Sequence, residues 1–304
     1  MFISVLTVFF AVFCLVFSLS GRKFDKMNGI LYIVATPIGN LEDITLRALR
    51  ILKEVDVIAA EDTRHTRKLL SRYGISKKLI SYWGAREKAK SEAVIARLKE
   101  GQDVALVTDS GTPGISDPGE VVIREAIAEG LNVVAVPGPS AIIAALSISG
   151  IPAREFVYPG FLPPKHNMRV KMLEELRLEH RTIVFYEAPH RLLDSLSDIY
   201  DVFGDRYCAV CHELTKLNEE VLRGRLSVLI GELQQKVIAG EYVLVLEGKA
   251  VEGITVEDAI PEVWGLMKKG LRRKEAARMI SQQYGLSQKA LYDESLKLEE
   301  KDEA

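Results

Sequence analysis

Residues Val107 to Gly119 read Val-Thr-Asp-Ser-Gly-Thr-Pro-Gly-Ile-Ser-Asp-Pro-Gly. The stretch leaves an apolar run, Val104 to Val107, and leads into a helical pattern, Glu120 to Glu129. That placement makes it a loop at the carboxyl end of a parallel strand, where open α/β sheets bind their ligands. Three glycines and two prolines let the backbone approach a ligand closely while fixing two φ angles, so amides can converge on a polar head group. A plainer reading makes it a strand-to-helix connection with Asp117 as cap and Pro118 at the first helical position. A cap alone does not need the Asp-Ser-Gly-Thr-Pro-Gly that precedes it.

On either side of this loop, short β-branched runs alternate with amphipathic helical patterns. Strands are expected at Ile30–Thr36, Val55–Ala60, Val104–Thr108 and Asn132–Val136, with helices at Leu46–Glu54, Thr63–Tyr73, Lys88–Glu100, after Pro118, and at Ser140–Ser149. Such alternation implies a mostly parallel sheet covered on both faces. A second series starts after Ile151-Pro152. Its expected strands are Phe156–Tyr158, Thr182–Tyr186, Arg206–His212, Glu220–Arg223 and Tyr242–Glu247, with helices at Met168–Leu178, Arg191–Val202 and Ser227–Gln235. The short spacing between the runs near Cys208 and Val221 predicts antiparallel pairing and a mixed sheet. Beyond Gly248 three helices are expected, Val256–Lys269, Arg273–Tyr284 and Ser287–Leu298. The division is therefore a leader (1–26), an α/β domain carrying the loop (27–151), a second α/β domain (152–250) and a small helical tail (251–304). A ligand cleft is expected between the two α/β domains.

Composition bounds the function. The 304 residues are 48% hydrophobic and 27% charged, with a net charge of −2. This is globular, and it excludes a protein that coats nucleic acid over its whole surface. Basic residues cluster regionally, in Lys268, Lys269, Arg272, Arg273 and Lys274, and around Lys165 and Arg169. Met1 to Ser20 is apolar and is followed by Arg22, Lys23 and Lys26. A true start at Met27 is preferred, ahead of a membrane anchor with its positive flank in the cytoplasm, and a cleaved signal peptide ranks last. Cys208 and Cys211 form a lone Cys-x-x-Cys in a strand pattern. Residues three apart on a strand face opposite ways, so core cysteines are expected and not a metal site.

Four segments in order, Val34-Ala-Thr-Pro-Ile-Gly-Asn-Leu-Glu-Asp43, Ala60-Glu-Asp-Thr-Arg64, Asp109 to Gly119 and Tyr186-Glu-Ala-Pro-His-Arg-Leu192, resemble the tetrapyrrole methylase superfamily. The first and last are similar to its ribosomal RNA 2'-O-methyltransferase branch. The resemblance implies two α/β domains, S-adenosyl-L-methionine as donor, a cytoplasmic homodimer, and a cytidine ribose in 16S rRNA of the small ribosomal subunit as acceptor. By the same resemblance the donor loop maps to Asp109, Ser110, Gly111, Thr112, Pro113 and Gly114, with Ile115 as apolar contact, Ser140 and Ala141 as a second edge, and Pro37 lining the cleft. No Gly-x-Gly-x-x-Gly follows the first strand, which argues against a dinucleotide site.

Methyl transfer to oxygen needs alignment of the acceptor and removal of its proton. Candidate bases are Glu61, Asp62, His65, Glu187 and His190, with Glu187 and Asp62 preferred. Arg64, Arg67 and Arg191 are expected to hold phosphates or pair with these carboxylates, and Lys165, His166, Arg169, Lys171 and the basic tail to contact RNA. Two rival readings are a small-molecule methylase of the tetrapyrrole type with the same donor site, and a non-enzymatic RNA-binding module. The basic run at 268–274 counts against the first, and the intact donor segments count against the second.

Overall fold

The computed structural model describes residues 28–84, 87–249 and 255–302. The leader lies outside these, as does 250–254. In the first half, β1 (Ile30–Val34), α1 (Leu46–Glu54), β2 (Val57–Ala60), α2 (Thr63–Arg72), β3 (Lys78–Ser81), α3 (Glu87–Lys99), β4 (Val104–Val107), α4 (Glu120–Ala128), β5 (Asn132–Val136) and α5 (Ala141–Ser149) alternate. The sheet order is β3-β2-β4-β1-β5, every pair parallel.

Alternation along the strands feeds two cores. Ile58, Ala60, Ala105 and Val107 face Ala48, Ile51 and Leu52 of α1 and Leu69 and Leu70 of α2. Ala59, Val104 and Leu106 face Val94 and Leu98 of α3 and Val122 and Ala126 of α4. Helix α1 forms because Ala48, Ile51 and Leu52 share one stripe and the Thr45 side chain accepts from the Ala48 amide. The unforeseen strand is β3, a half-exposed edge whose apolar content is Leu79 and Ile80.

The second half contains β6 (Phe156–Phe161), α6 (His166–Leu176), β7 (Thr182–Glu187), α7 (Leu192–Phe203), β8 (Tyr207–His212), β9 (Glu220–Arg225), α8 (Leu226–Leu233) and β10 (Tyr242–Leu246). Its order is β6-β7-β10-β8-β9, with β6 parallel to β7 and the other pairs antiparallel, including Cys211 opposite Val221. Cys208 packs with α6, α7 and α8 on one face, and Cys211 packs with α5 on the other. Burial pushes the Cys211 thiol up to about 12.

Helix α5 joins the halves. It follows the last strand of the first sheet, yet Ile142, Ala145 and Leu146 pack on Val184, Ala209, Val243 and Val245 of the second. Its amino terminus therefore opens between the two sheets. The tail helices α9 (Val256–Lys268), α10 (Arg273–Tyr284) and α11 (Gln288–Asp302) enclose a core of their own, including Ile260, Val263, Ala277, Ile280 and Leu291. A capping box between Thr255 and Asp258 starts α9. Among the described residues no helix is long and apolar enough to cross a membrane.

Candidate functional site

The loops after β1, β2 and β4 are stitched together at the carboxyl edge of the first sheet. Thr36 and Gly111 exchange backbone bonds, amide to carbonyl, at 2.9 and 3.1 Å. The Asp109 amide donates to Glu61 at 3.2 Å, and the Asp62 amide donates to the Asp109 carboxylate at 3.1 Å. These bonds hold the 108–112 backbone open toward the second sheet. The loop then runs to Gly119, which caps α4 with φ +144°; a Cβ there would lie 2.9 Å from Leu106 Cδ2. The expected cap at Asp117 is thus displaced: α4 begins at Glu120, Pro118 precedes its cap, and the Asp117 side chain is released to the cavity.

That cavity, about 590 Å³, lies between the sheets. One wall is Ser110, Gly111, Thr112, Ile115, Ser116 and Asp117, continued by Ser140, Ala141, Ile142 and Ile143. The facing wall is aromatic, with Phe156, Tyr158, Phe161 and Tyr186, and is completed by Glu187, Ala188, Pro189 and Gly240 to Val243. Tyr186 packs edge-on against Tyr158 and Phe161, with ring centroids 5.2 and 5.4 Å away. A hydrogen bond between Ser116 Oγ and the Tyr158 hydroxyl ties the walls together. Ser140 makes no capping hydrogen bond, so the first amides of α5 remain available to an anion.

Of the expected donor contacts, Ser110, Gly111, Thr112, Ile115, Ser140 and Ala141 line this cavity, while Pro113 and Gly114 do not. Pro37 and Asp109 instead line a separate cavity of about 140 Å³ with Leu41, His65, Lys68 and Leu69. The strand-exit loop turns Pro37 toward α2, away from the larger space.

The two preferred bases fare differently. Asp62 caps α2 and is taken up by Arg64, accepting from its amide at 2.8 Å and from Nη2 at 2.9 Å. The Arg64 side chain holds this carboxyl down at about 2, and Asp62 does not line the cavity. Glu187 does line it, but its carboxylate is buried and accepts from the Ala188 amide at 2.7 Å, Arg191 Nε at 2.5 Å and Ser195 Oγ at 2.5 Å. Each therefore already accepts three hydrogen bonds, at least one of them from a guanidinium, which stabilises the ionised form and weakens it as a proton acceptor.

Asp117 is the carboxylate that reading by residue pattern missed. It is half-buried, and among the described residues no hydrogen bond reaches it. Burial first, then Glu61 and Asp109, push it up to about 6. Burial also raises Glu61.

Expected RNA contacts separate in the same way. Lys165, Lys268, Lys269, Arg272 and Lys274 are exposed. Arg273 is half-buried, with its guanidinium 5.8 Å from the Trp264 ring centroid. Arg169 is buried and donates to Asp198 at 2.6 Å, so it braces α6 against α7 and is withdrawn from phosphate. Arg191 is likewise held by Glu187 in a buried pair, whereas Arg64 pairs with Asp62 at the surface with its side chain 85% exposed and stays open to phosphate.

Two stacked α/β sheets, with a Gly- and Pro-rich strand-exit loop facing an aromatic wall, define a class of methylase. The family model of the Tetrapyrrole (Corrin/Porphyrin) Methylases matches residues 30–230, and the chain belongs to that family. Within it, the chain is 44% identical over 275 residues to ribosomal RNA small subunit methyltransferase I of Synechocystis sp., covering 89% of this chain and 99% of that protein. It is 45% identical over 276 residues to the protein of that name from Escherichia coli O157:H7, covering 90% and 96%. Membership therefore extends to this branch of the family. Among solved structures, diphthine synthase superposes with a TM-score of 0.59 at 17% identity, covering 73% of this chain and 91% of that one. Uroporphyrin-III-C-methyltransferase from Thermus thermophilus has a TM-score of 0.53 with 23% identity, covering 72% and 94%. These two likenesses concern the fold alone.

Proposed function

We propose that this methyltransferase uses S-adenosyl-L-methionine to methylate the ribose 2'-hydroxyl of a cytidine in 16S rRNA of the small ribosomal subunit. The observation that carries the reading is the cavity itself, in a chain 44–45% identical to small subunit rRNA methyltransferases over almost its whole length. One small molecule and the edge of an acceptor fit about 590 Å³.

The donor set suits the donor's chemistry. The uncapped amides of α5 and the Ser110–Thr112 backbone would hold its carboxylate, and Ile115, Ile142 and Ile143 its apolar ring. Bound there, S-adenosyl-L-methionine supplies an electrophilic methyl on a sulfonium. The chain supplies position: the Ser116–Tyr158 bond sets the distance between the walls, and the Glu187 network fixes the 188–191 turn at the cavity edge. The facing tyrosines present flat surfaces on which a splayed nucleotide could stack. The exposed cations at Lys165 and along 268–274 would hold the RNA backbone. A homodimer working in the cytoplasm completes the reading, and light scattering of the purified chain tests the dimer.

The test of the function is transfer of labelled methyl from S-adenosyl-L-methionine to purified small subunits. Label in 16S rRNA is expected; binding of the donor with no label in RNA would leave only the superfamily assignment.

A further inference from the structure

The site just described lacks an assigned proton acceptor. Among the described residues, three carboxylates line the cavity: Asp117, Glu187 and Glu241. Glu187 already accepts from three donors, one of them the Arg191 guanidinium, and is held in place as a buried ion pair. Glu241 accepts from Lys216 at 3.1 Å and is 70% exposed, at the rim. The histidines are elsewhere: His65 lines the smaller cavity and His166 pairs with Asp198. Burial raises the Tyr158 and Tyr186 hydroxyls, so neither is ionised in the working pH range and neither offers a phenolate to take a proton.

We propose that Asp117 is the general base that takes the proton from the acceptor hydroxyl during methyl transfer. The inference rests on the functional reading above and gives it a residue. Asp117 lies seven residues beyond Ser110 on the loop that forms the donor edge, and it adjoins Ser116, whose hydroxyl bonds across the cavity to Tyr158. It therefore sits where one wall meets the other, between the proposed donor edge and the aromatic face. Its carboxylate meets no donor within the described protein, so its lone pairs are open to a ligand.

The charged and titratable groups around it are Glu61 from the β2 exit, Asp109 from the β4 exit, Tyr158 from β6 and Tyr186 from β7. Glu87 of α3 meets the Gly119 amide at 3.4 Å at the far end of the same loop. No cation is among them. The surroundings favour proton uptake, and a base is most useful when its affinity for a proton approaches the working pH.

In the step, the acceptor oxygen forms a bond to the methyl carbon as the bond from that carbon to sulfur breaks. The electron pair of the broken bond stays on sulfur, which becomes a neutral thioether. The hydroxyl proton passes to the Asp117 carboxylate and from there to solvent.

The experiment uses the full chain, S-adenosyl-L-methionine and purified small subunits. Single-turnover methylation is followed across the range from mildly acidic to mildly alkaline pH, and donor affinity is measured by calorimetry. Asp117→Asn should lower the single-turnover rate by at least about 100-fold while the donor Kd stays within about threefold. The wild-type rate should climb to a plateau with a midpoint near 6. A smaller loss of rate, or a loss of donor affinity beyond threefold, overturns the proposal; the latter would make Asp117 an anchor for the donor. If Asp117→Asn does not fold, the wild-type profile decides, and a flat rate across the range overturns it. Wild-type protein that transfers no methyl to the subunit would overturn the functional reading itself.

Discussion

Arg191 Nε donates to the Glu187 carboxylate at 2.5 Å, and the two side chains are 13% and 0% exposed. A carboxylate held in this way is a brace. Removing one partner of a buried pair leaves an uncompensated charge and costs about 3–5 kcal/mol, here toward the lower end because the Ala188 amide and Ser195 remain. Arg191→Ala should therefore lower Tm by roughly 6–12 °C in a chain of this size. Glu187→Gln should melt lower than wild type yet keep its single-turnover rate within about tenfold below its melting range. A loss as deep as that expected for Asp117→Asn would return Glu187 to the chemistry. Thermal melts and the same methylation assay check both variants.

Ser116 and Tyr158 bridge the two walls. Ser116→Ala and Tyr158→Phe should each cost about 0.5–1.5 kcal/mol in denaturant unfolding, and the double variant should cost less than their sum. Additive costs would mean that the two hydroxyls act separately.

Asp117 also leaves a mark on stability. Its proton affinity is raised in the folded chain, to about 6 against 3.8, so the folded protein binds more protons across that window. Stability contributed by the protonated form is lost as pH rises through 6. Asp117→Asn, which cannot ionise, should equal wild type near the lower bound and exceed it above the upper one, by about 1 kcal/mol once solvent screening is allowed for. Melting curves of both proteins through this window measure the gap; a gap of opposite sign would show that the carboxylate has a stabilising partner. Asp62 works in the other direction: held at about 2 against 3.8, its contribution is present above the higher value and is lost as pH falls toward the lower.

The exposed tail cations predict a salt effect. Replacing Lys268, Lys269, Arg272 and Lys274 with Ala should flatten the dependence of log affinity for rRNA on log salt, by about 0.7–0.9 for each phosphate that is no longer neutralised. Donor affinity should not change. Filter binding between about 50 and 200 mM salt gives the slope, and an unaltered slope would make the tail a packing element only.

Much of this architecture is legible in the chain, because hydrophobic period alone separates strands from helices and places Cys208 and Cys211 on opposite faces. Helix α1 and strand β5 fall on the expected residues, Leu46–Glu54 and Asn132–Val136. Strand β3 escapes since an edge strand needs little apolar content, and Leu79 and Ile80 show no alternation. The site is less legible for a different reason. Asp117-Pro118 has the form of a helix start, and only the φ of Gly119 shifts that start along the chain and frees the side chain. Arg169 looks like an RNA contact until the fold brings Asp198, 29 residues away, against it. Such pairings are long-range and leave no local pattern.

Methylation of a ribose in the small subunit is tested most directly by mass mapping of nuclease digests of 16S rRNA, after small subunits have been incubated with the full chain and S-adenosyl-L-methionine. The predicted result is a single fragment heavier by one methylene, with the added methyl on the 2'-oxygen of a cytidine and the adjacent phosphodiester resistant to alkaline cleavage. A methyl on a base, or none in the rRNA while the donor binds, would contradict it.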